Sequence, residues 1–222
     1  LPNAYEETSD QAGHSFAGQA IGGTSEGGSI SYLSPTIEFG GASIDVVADF
    51  DPNGGGTAGA GTGADNAAGY SSSMALGTKV SFAGLSLYAA QEEVETALIG
   101  AQNSAADAVH SMVQATYSAG PISIGYGEWY KNAGNGGTDY STDGWSVAFA
   151  VNDDLSVSYG TLEDTREAIS ATAAETADAT SIQASYTMGS MALKIQHNET
   201  DNSYFNANQT TDNTEIALSF SF

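Results

Sequence analysis

Hydrophobic and polar residues alternate along most of this chain with a period of two. In the closing stretch TEIALSFSF, Ile216, Leu218, Phe220 and Phe222 share one parity, and Glu215, Ala217, Ser219 and Ser221 share the other. That is the signature of a strand with one greasy and one polar face. The same alternation runs through SMALKIQHN, TSIQASYTM, LSVSYGTL, WSVAFAV and PISIGYGEW. Further upstream it continues through VHSMVQATY, GLSLYAAQ, MALGTKVSF, ASIDVVADF and GSISYLS. The pattern predicts eleven strands.

The connections between the strands alternate as well. SPTIEFGG, FAG, SAGP, VNDD and TMGS are short and carry the Gly, Pro, Asn or Asp of tight turns. Between them lie long, Gly-, Asn- and acid-rich stretches such as DPNGGGTAGAGTGADNAAGYSSS and EDTREAISATAAETADA. A strict short–long rhythm implies antiparallel neighbours running up and down, with one end of the sheet trimmed and the other elaborated. A soluble sandwich brings Greek-key crossings, a bulkier buried face and a more charged outer one. Here the polar parity is Ser, Thr, Gln, Gly and Ala, which suits a wet lumen, and the greasy parity is left to meet lipid. The reading is an all-β, transmembrane, antiparallel up-and-down β-barrel. Aromatic positions fit it. Tyr32, Phe82, Tyr117, Tyr186, Phe220 and Phe222 fall near the short-turn edge, while Tyr126 and Trp145 approach the long-loop end. Two such girdles mark membrane–water boundaries.

Composition sharpens the picture. The 222 residues hold 27 Asp+Glu against 4 Lys+Arg, for a formal net charge of -23. Phosphate binding needs clustered bases, so nucleic acid is excluded as a partner. No stretch approaches the roughly 20 apolar residues of a spanning helix, a limit that does not touch barrels. Cysteine is absent. The N-terminal LPNAYEETSD has no basic region followed by an apolar run. His14, His110 and His197 lie on separate segments without companions at metal-ligand spacing. No G-x-S-x-G occurs, so no catalytic residue is assigned and the chain is not read as an enzyme.

On these residues the chain resembles a Gram-negative, general, trimeric, 16-stranded outer-membrane porin. TEIALSFSF is similar to the final-strand signal of that family, with Leu218, Phe220 and Phe222 as the residues read by the barrel-assembly machinery. SISYLSPTIEFGG is similar to its mid-barrel Y-x-SP hairpin, and the turn–loop rhythm covers Ser29 to Phe222. Residues 29–222 are then barrel strands with short periplasmic turns and long extracellular loops. The resemblance implies a passive channel for small hydrophilic solutes, a homotrimer, and contact with membrane lipid and lipopolysaccharide in the bacterial outer membrane. Eleven strands fall short of an even-numbered closed barrel, so about five more, roughly 100 residues, are expected upstream. Residues 1–28 then become the end of a pore-constricting loop, with Glu6, Glu7 and Asp10 as constriction carboxylates by resemblance.

Parity places Asp45, Asp49, Lys79, Lys194 and Glu215 toward the lumen, with His110 nearby. An excess of carboxylates there favours cations. No cofactor is expected. The acids Glu92, Glu93 and Glu95, and Glu163, Asp164 and Glu167, offer oxygen ligands for Ca²⁺ or Mg²⁺ on acidic loops, although no EF-hand spacing accompanies them. A 12-stranded translocator or substrate-specific channel, and a soluble acidic β-rich adhesin, are the alternative readings.

Overall fold

The computed structural model describes residues 29–52, 70–96, 107–134, 138–168 and 173–221. Glu6, Glu7, Asp10 and Phe222 therefore lie outside the described residues. The strands are β1 (Ile30–Leu33), β2 (Ile37–Phe39), β3 (Ala42–Asp51), β4 (Tyr70–Phe82), β5 (Leu85–Thr96), β6 (Ala108–Ala119), β7 (Ile122–Asn132), β8 (Tyr140–Ala150), β9 (Leu155–Arg166), β10 (Glu175–Met188), β11 (Met191–Asp201) and β12 (Thr211–Phe220). They form one sheet in sequence order, β1-β3-β4 through to β12, with β2 also on β3. That is an up-and-down meander. Among the described residues no helix is long and apolar enough to cross a membrane, which says nothing of strands.

Twelve strands against the expected eleven has a local cause. β1 pairs with Val47–Phe50 and β2 with Ala42–Ile44, so both occupy one position in the sheet beside β3. Ser34-Pro35-Thr36 interrupts that position, because Pro35 has no N–H to give the ladder. Three residues there face the two residues Asp45 and Val46, a bulge-like mismatch. Ser34 repairs the gap: its N–H donates to the Val46 carbonyl at 2.8 Å, and its Oγ accepts from the Val46 N–H at 2.9 Å.

The remaining strands are longer than the alternation implies. β10 spans 14 residues and starts inside the stretch read as loop, and β9 runs on to Arg166 to meet it, Glu175 opposite Arg166. The ladder continues there while greasy residues cease, so the hydrophobic period vanishes although the strand does not. At the other end the turns are tight. Phe82 faces Leu85 across Ala83-Gly84, both at positive φ, the combination a two-residue turn of matching twist requires.

The chain divides into two compact units: β1 to β5 with β6 as far as Val113 and residues 129–140, and Gln114–Glu128 with residues 141 onward. In both, the sheet is inverted relative to a soluble protein. The large exposed residues are greasy, among them Phe39, Met74, Leu76, Ile182, Ile216, Leu218 and Phe220, with Ile216 68% exposed. The buried ones are largely polar: Asp164, Asn198, Thr200 and Ser203 are all at 0%. Across β9 to β12 the greasy face reads in rows: Leu155–Tyr186–Leu193–Leu218, then Val157–Ala184–Ile195–Ile216, then Tyr159–Ile182–His197–Thr214. An apolar face on this scale is stable only against an apolar surrounding.

Ile195 lies within that band, between Ala184 and Ile216. Ile195→Arg is expected to cost about 2–4 kcal/mol in lipid vesicles, as a cation at mid-bilayer does. Ser158→Lys, on the opposite face, should cost far less. Urea titrations of vesicle-embedded protein measure both, and equal effects would mean that the greasy face does not meet lipid.

Candidate functional site

The polar face of the sheet is the candidate site, because strand alternation sends every second side chain of each strand to it. In the first unit Asp45 stands opposite Lys79, and Lys79 opposite Tyr88. The Asp45 Oδ1 accepts the Thr36 hydroxyl at 2.7 Å, and the Lys79 ammonium lies 5.6 Å from the Tyr88 ring centroid. Asp49 faces Ser31 and Ala75. Two positions on, Asp51 is buried opposite Ser73. His110 is on the same face, its Nδ1 3.4 Å from a carboxylate oxygen of buried Glu92.

In the second unit the polar face forms rows across β9 to β12. One row is Leu162–Ala179–Thr200–Thr211, the next Gly160–Ser181–Asn198–Asn213, the next Ser158–Gln183–Gln196–Glu215, and the last Ser156–Ser185–Lys194–Ala217. Gln196 donates to the Glu215 carboxylate at 3.3 Å, and the Thr142 hydroxyl donates to that of buried Asp164 at 2.6 Å. Neither end of the Asn198 amide, nor the Thr200 hydroxyl, meets a protein partner. Burial without a partner is costly for such groups, so water is the natural complement.

Sequence parity and structure thus put Asp45, Asp49, Lys79, His110, Lys194 and Glu215 on the polar face. They are brought together only in part: Asp45 with Lys79 in one unit, Glu215 two positions along β12 from the neighbour of Lys194 in the other. Tyr32, Phe82, Tyr117, Tyr126, Trp145, Tyr186 and Phe220 are exposed, along with Leu218. Trp145 and Tyr159 adjoin, with ring centroids 5.5 Å apart. Tyr159 stands in the last greasy row, and two further rows of the same face, Thr161–Thr180–Glu199–Asp212 and Glu163–Asp178–Asp201, carry the strands beyond it.

The acids read as loop ligands for Ca²⁺ or Mg²⁺ lie differently from that expectation. Glu92, Glu93 and Glu95 are in β5, and Glu163 and Asp164 are in β9. Consecutive strand residues point to opposite faces, so Glu92 is separated from Glu93, and Glu163 from Asp164. Among the described residues no three of His, Cys, Asp or Glu converge on one point.

Several polar-face residues went unread in the sequence. Lys131, Arg166 and the buried Trp129 share that face with Lys79 and Lys194, so all four Lys and Arg residues of the chain stand on it. The signal that finds them is the parity of each strand carried past its greasy portion. Arg166 lies over the Phe205 ring, 5.1 Å from its centroid. The opposite face carries carboxylates alone at its loop end: Glu93, Glu128, Asp143, Glu163, Asp178, Glu199, Asp201 and Asp212.

With this geometry in hand, the class is defined: an all-β, antiparallel up-and-down sheet with a greasy outer and a polar inner face, the fold of outer-membrane β-barrels. Solved structures agree. OmpT, an outer membrane protein of Vibrio cholerae, is similar at 16% identity and a TM-score of 0.56, covering 86% of this chain and 64% of its own. Its loop L8 deletion mutant gives 17% and 0.56, over 86% and 62%. A porin gives 15% and 0.58, over 84% and 60%. The chain therefore spans less than two thirds of the length of these structures, and at such identities the likeness is one of fold. No family profile matches the chain, and no curated protein matches it.

Gly144 shows how closely this wall is fitted. A Cβ built there would collide with the Leu162 side chain and the Thr161 carbonyl of the neighbouring strand. Gly144→Ala is expected to destabilise by about 1–3 kcal/mol through overpacking. Leu162→Ala should recover part of it in a double-mutant cycle, and additivity of the two would refute the contact.

Proposed function

We propose that this chain is the greater part of an outer-membrane porin: a passive, cation-preferring diffusion channel for small hydrophilic solutes and ions. The observation that carries the reading is the inverted sheet. A face of exposed Ile, Leu, Val and Phe calls for lipid, and an opposed face of Ser, Thr, Gln, Asn and charged groups calls for water. The likeness in fold to outer-membrane proteins, one of them a porin, supports both the location and the activity. Such a protein does no bond chemistry. Its selectivity comes from the charges and width of its wall.

Cation preference follows from the acids of the polar face, Asp45, Asp49, Asp51, Glu92, Asp164 and Glu215, which outnumber the bases Lys79, Lys131, Arg166 and Lys194. Assembly as a homotrimer, contact with lipopolysaccharide and insertion by the barrel-assembly machinery belong to the same reading by resemblance. Leu218 and Phe220, greasy and exposed on the last strand, are the described part of the assembly signal.

In a planar bilayer the full-length protein is expected to give stepwise conductance, with reversal potentials in a KCl gradient favouring K⁺. Replacing Asp45 and Asp49 by Lys changes the wall by two charges at each site. Each change is worth about 1 kcal/mol to an ion roughly 8 Å away in water, before screening. The K⁺/Cl⁻ permeability ratio should therefore fall severalfold. Silent membranes, or a wild-type preference for Cl⁻, would overturn the reading.

A further inference from the structure

Part of the polar face in the first unit is exposed and not polar. In the first unit a hollow of about 480 Å³ opens on it, lined by Leu33, Val47, Ala90 and Met112, with Tyr88 and Lys79 at its side. Leu33 and Val47 face one another across the β1–β3 ladder, in step with Ser31 and Asp49, and are 71% and 43% exposed. Gly77 gives the hollow its depth, since a Cβ there would stand 2.9 Å from the Val47 Cγ1. Greasy side chains on the polar parity gain nothing from water and favour an apolar cover.

The charge beside the hollow says what kind of visitor. Lys79 forms no ion pair among the described residues, although Asp45 is its cross-strand neighbour. Thr36 donates to the Asp45 Oδ1, while the Lys79 ammonium is held toward the Tyr88 ring instead. A cation steadied by an aromatic face and left without a carboxylate offers its donors to an incoming anion. We propose that this hollow is a binding station for small amphiphilic monocarboxylates. Their ring or alkyl part lies on Leu33, Val47 and Met112, and their carboxylate meets Lys79. The assignment rests on the channel reading for its meaning in transport, but binding can be measured without transport.

The test is ¹⁹F NMR of 4-fluorobenzoate with the full-length protein folded in detergent micelles, against protein-free micelles as the blank. Saturable broadening in the millimolar range, displaced by benzoate, is expected. Lys79→Met should weaken it about tenfold, the loss of a charge-assisted hydrogen bond, and Lys79→Arg should preserve it. Ala90→Leu, which fills the hollow, should weaken 4-fluorobenzoate and 4-fluorobenzyl alcohol alike. Far-UV circular dichroism establishes folding of each variant, and should one of them fail to fold, the other carries the test. No broadening beyond the blank, no change in a folded Lys79→Met, or equally tight binding of 4-fluorobenzylamine would overturn the assignment. Conductance without 4-fluorobenzoate binding overturns the station and leaves the channel; binding without conductance does the reverse.

Discussion

A backbone N–H or C=O that faces hydrocarbon has no water to fall back on, so every such group must find its partner inside the protein. This requirement organises the chain. The ladder runs without a crossover, each strand from β3 to β12 beside the next in sequence and β1 and β2 sharing the position before β3. Even where the chain breaks, at Pro35, the neighbouring serine covers the exposed backbone groups with its own N–H and hydroxyl. Once pairing is compulsory, alternation becomes compulsory too, and with it two faces of opposite character.

The division of charge follows from the same geometry. The lysines and the arginine stand on the polar face, whereas among the described residues carboxylates occur on both. On the greasy side of β9 to β12 they are confined to rows beyond Tyr159 and Ile182, at the ends of the strands. Within the greasy rows from Leu155 to Ile182 no carboxylate, lysine or arginine appears, as desolvation demands, and the one imidazole there is that of His197, beside Thr214 at the margin of the band. The large negative charge of the chain is therefore not all wall charge. Much of it stands outside the apolar band, and on the polar face acids are partly offset by the four bases. In the proposed channel, ion preference would be set by a modest local excess, at positions such as Asp45, Asp49 and Glu215, more than by the net figure of -23.

The sequence made most of the fold legible because a period of two is a rigid geometric consequence of the extended chain. Ile216, Leu218 and Phe220 could be separated from Glu215, Ala217 and Ser219 by counting alone, and the ladders keep that separation. The same counting reached Lys79 and Lys194. It stopped where large greasy residues stopped: Glu163, Asp164, Thr176 and Asp178 read as loop, since their neighbours there are polar residues or alanine. Pro35 was legible as a breaker, but not as a break within one sheet position, which depends on both halves finding β3. Burial of Asp164 and Asn198 was beyond reach too, because it depends on neighbours that no local pattern names.

The exceptions to alternation are more informative than the rule. Leu33, Val47, Tyr88, Met112, Trp129 and Leu162 are greasy residues on polar parity. Trp129 and Leu162 are buried and so act as packing within the wall, Leu162 against the bare backbone of Gly144. Leu33 and Val47 remain exposed. A wall meant only to hold water has no use for them, since each exposed aliphatic group there loses the hydration a serine or threonine would keep. Packing accounts for the buried exceptions, and an apolar solute accounts for the exposed ones beside Lys79. The same substitution of greasy for polar thus has two physical meanings in one sheet, distinguished by burial alone.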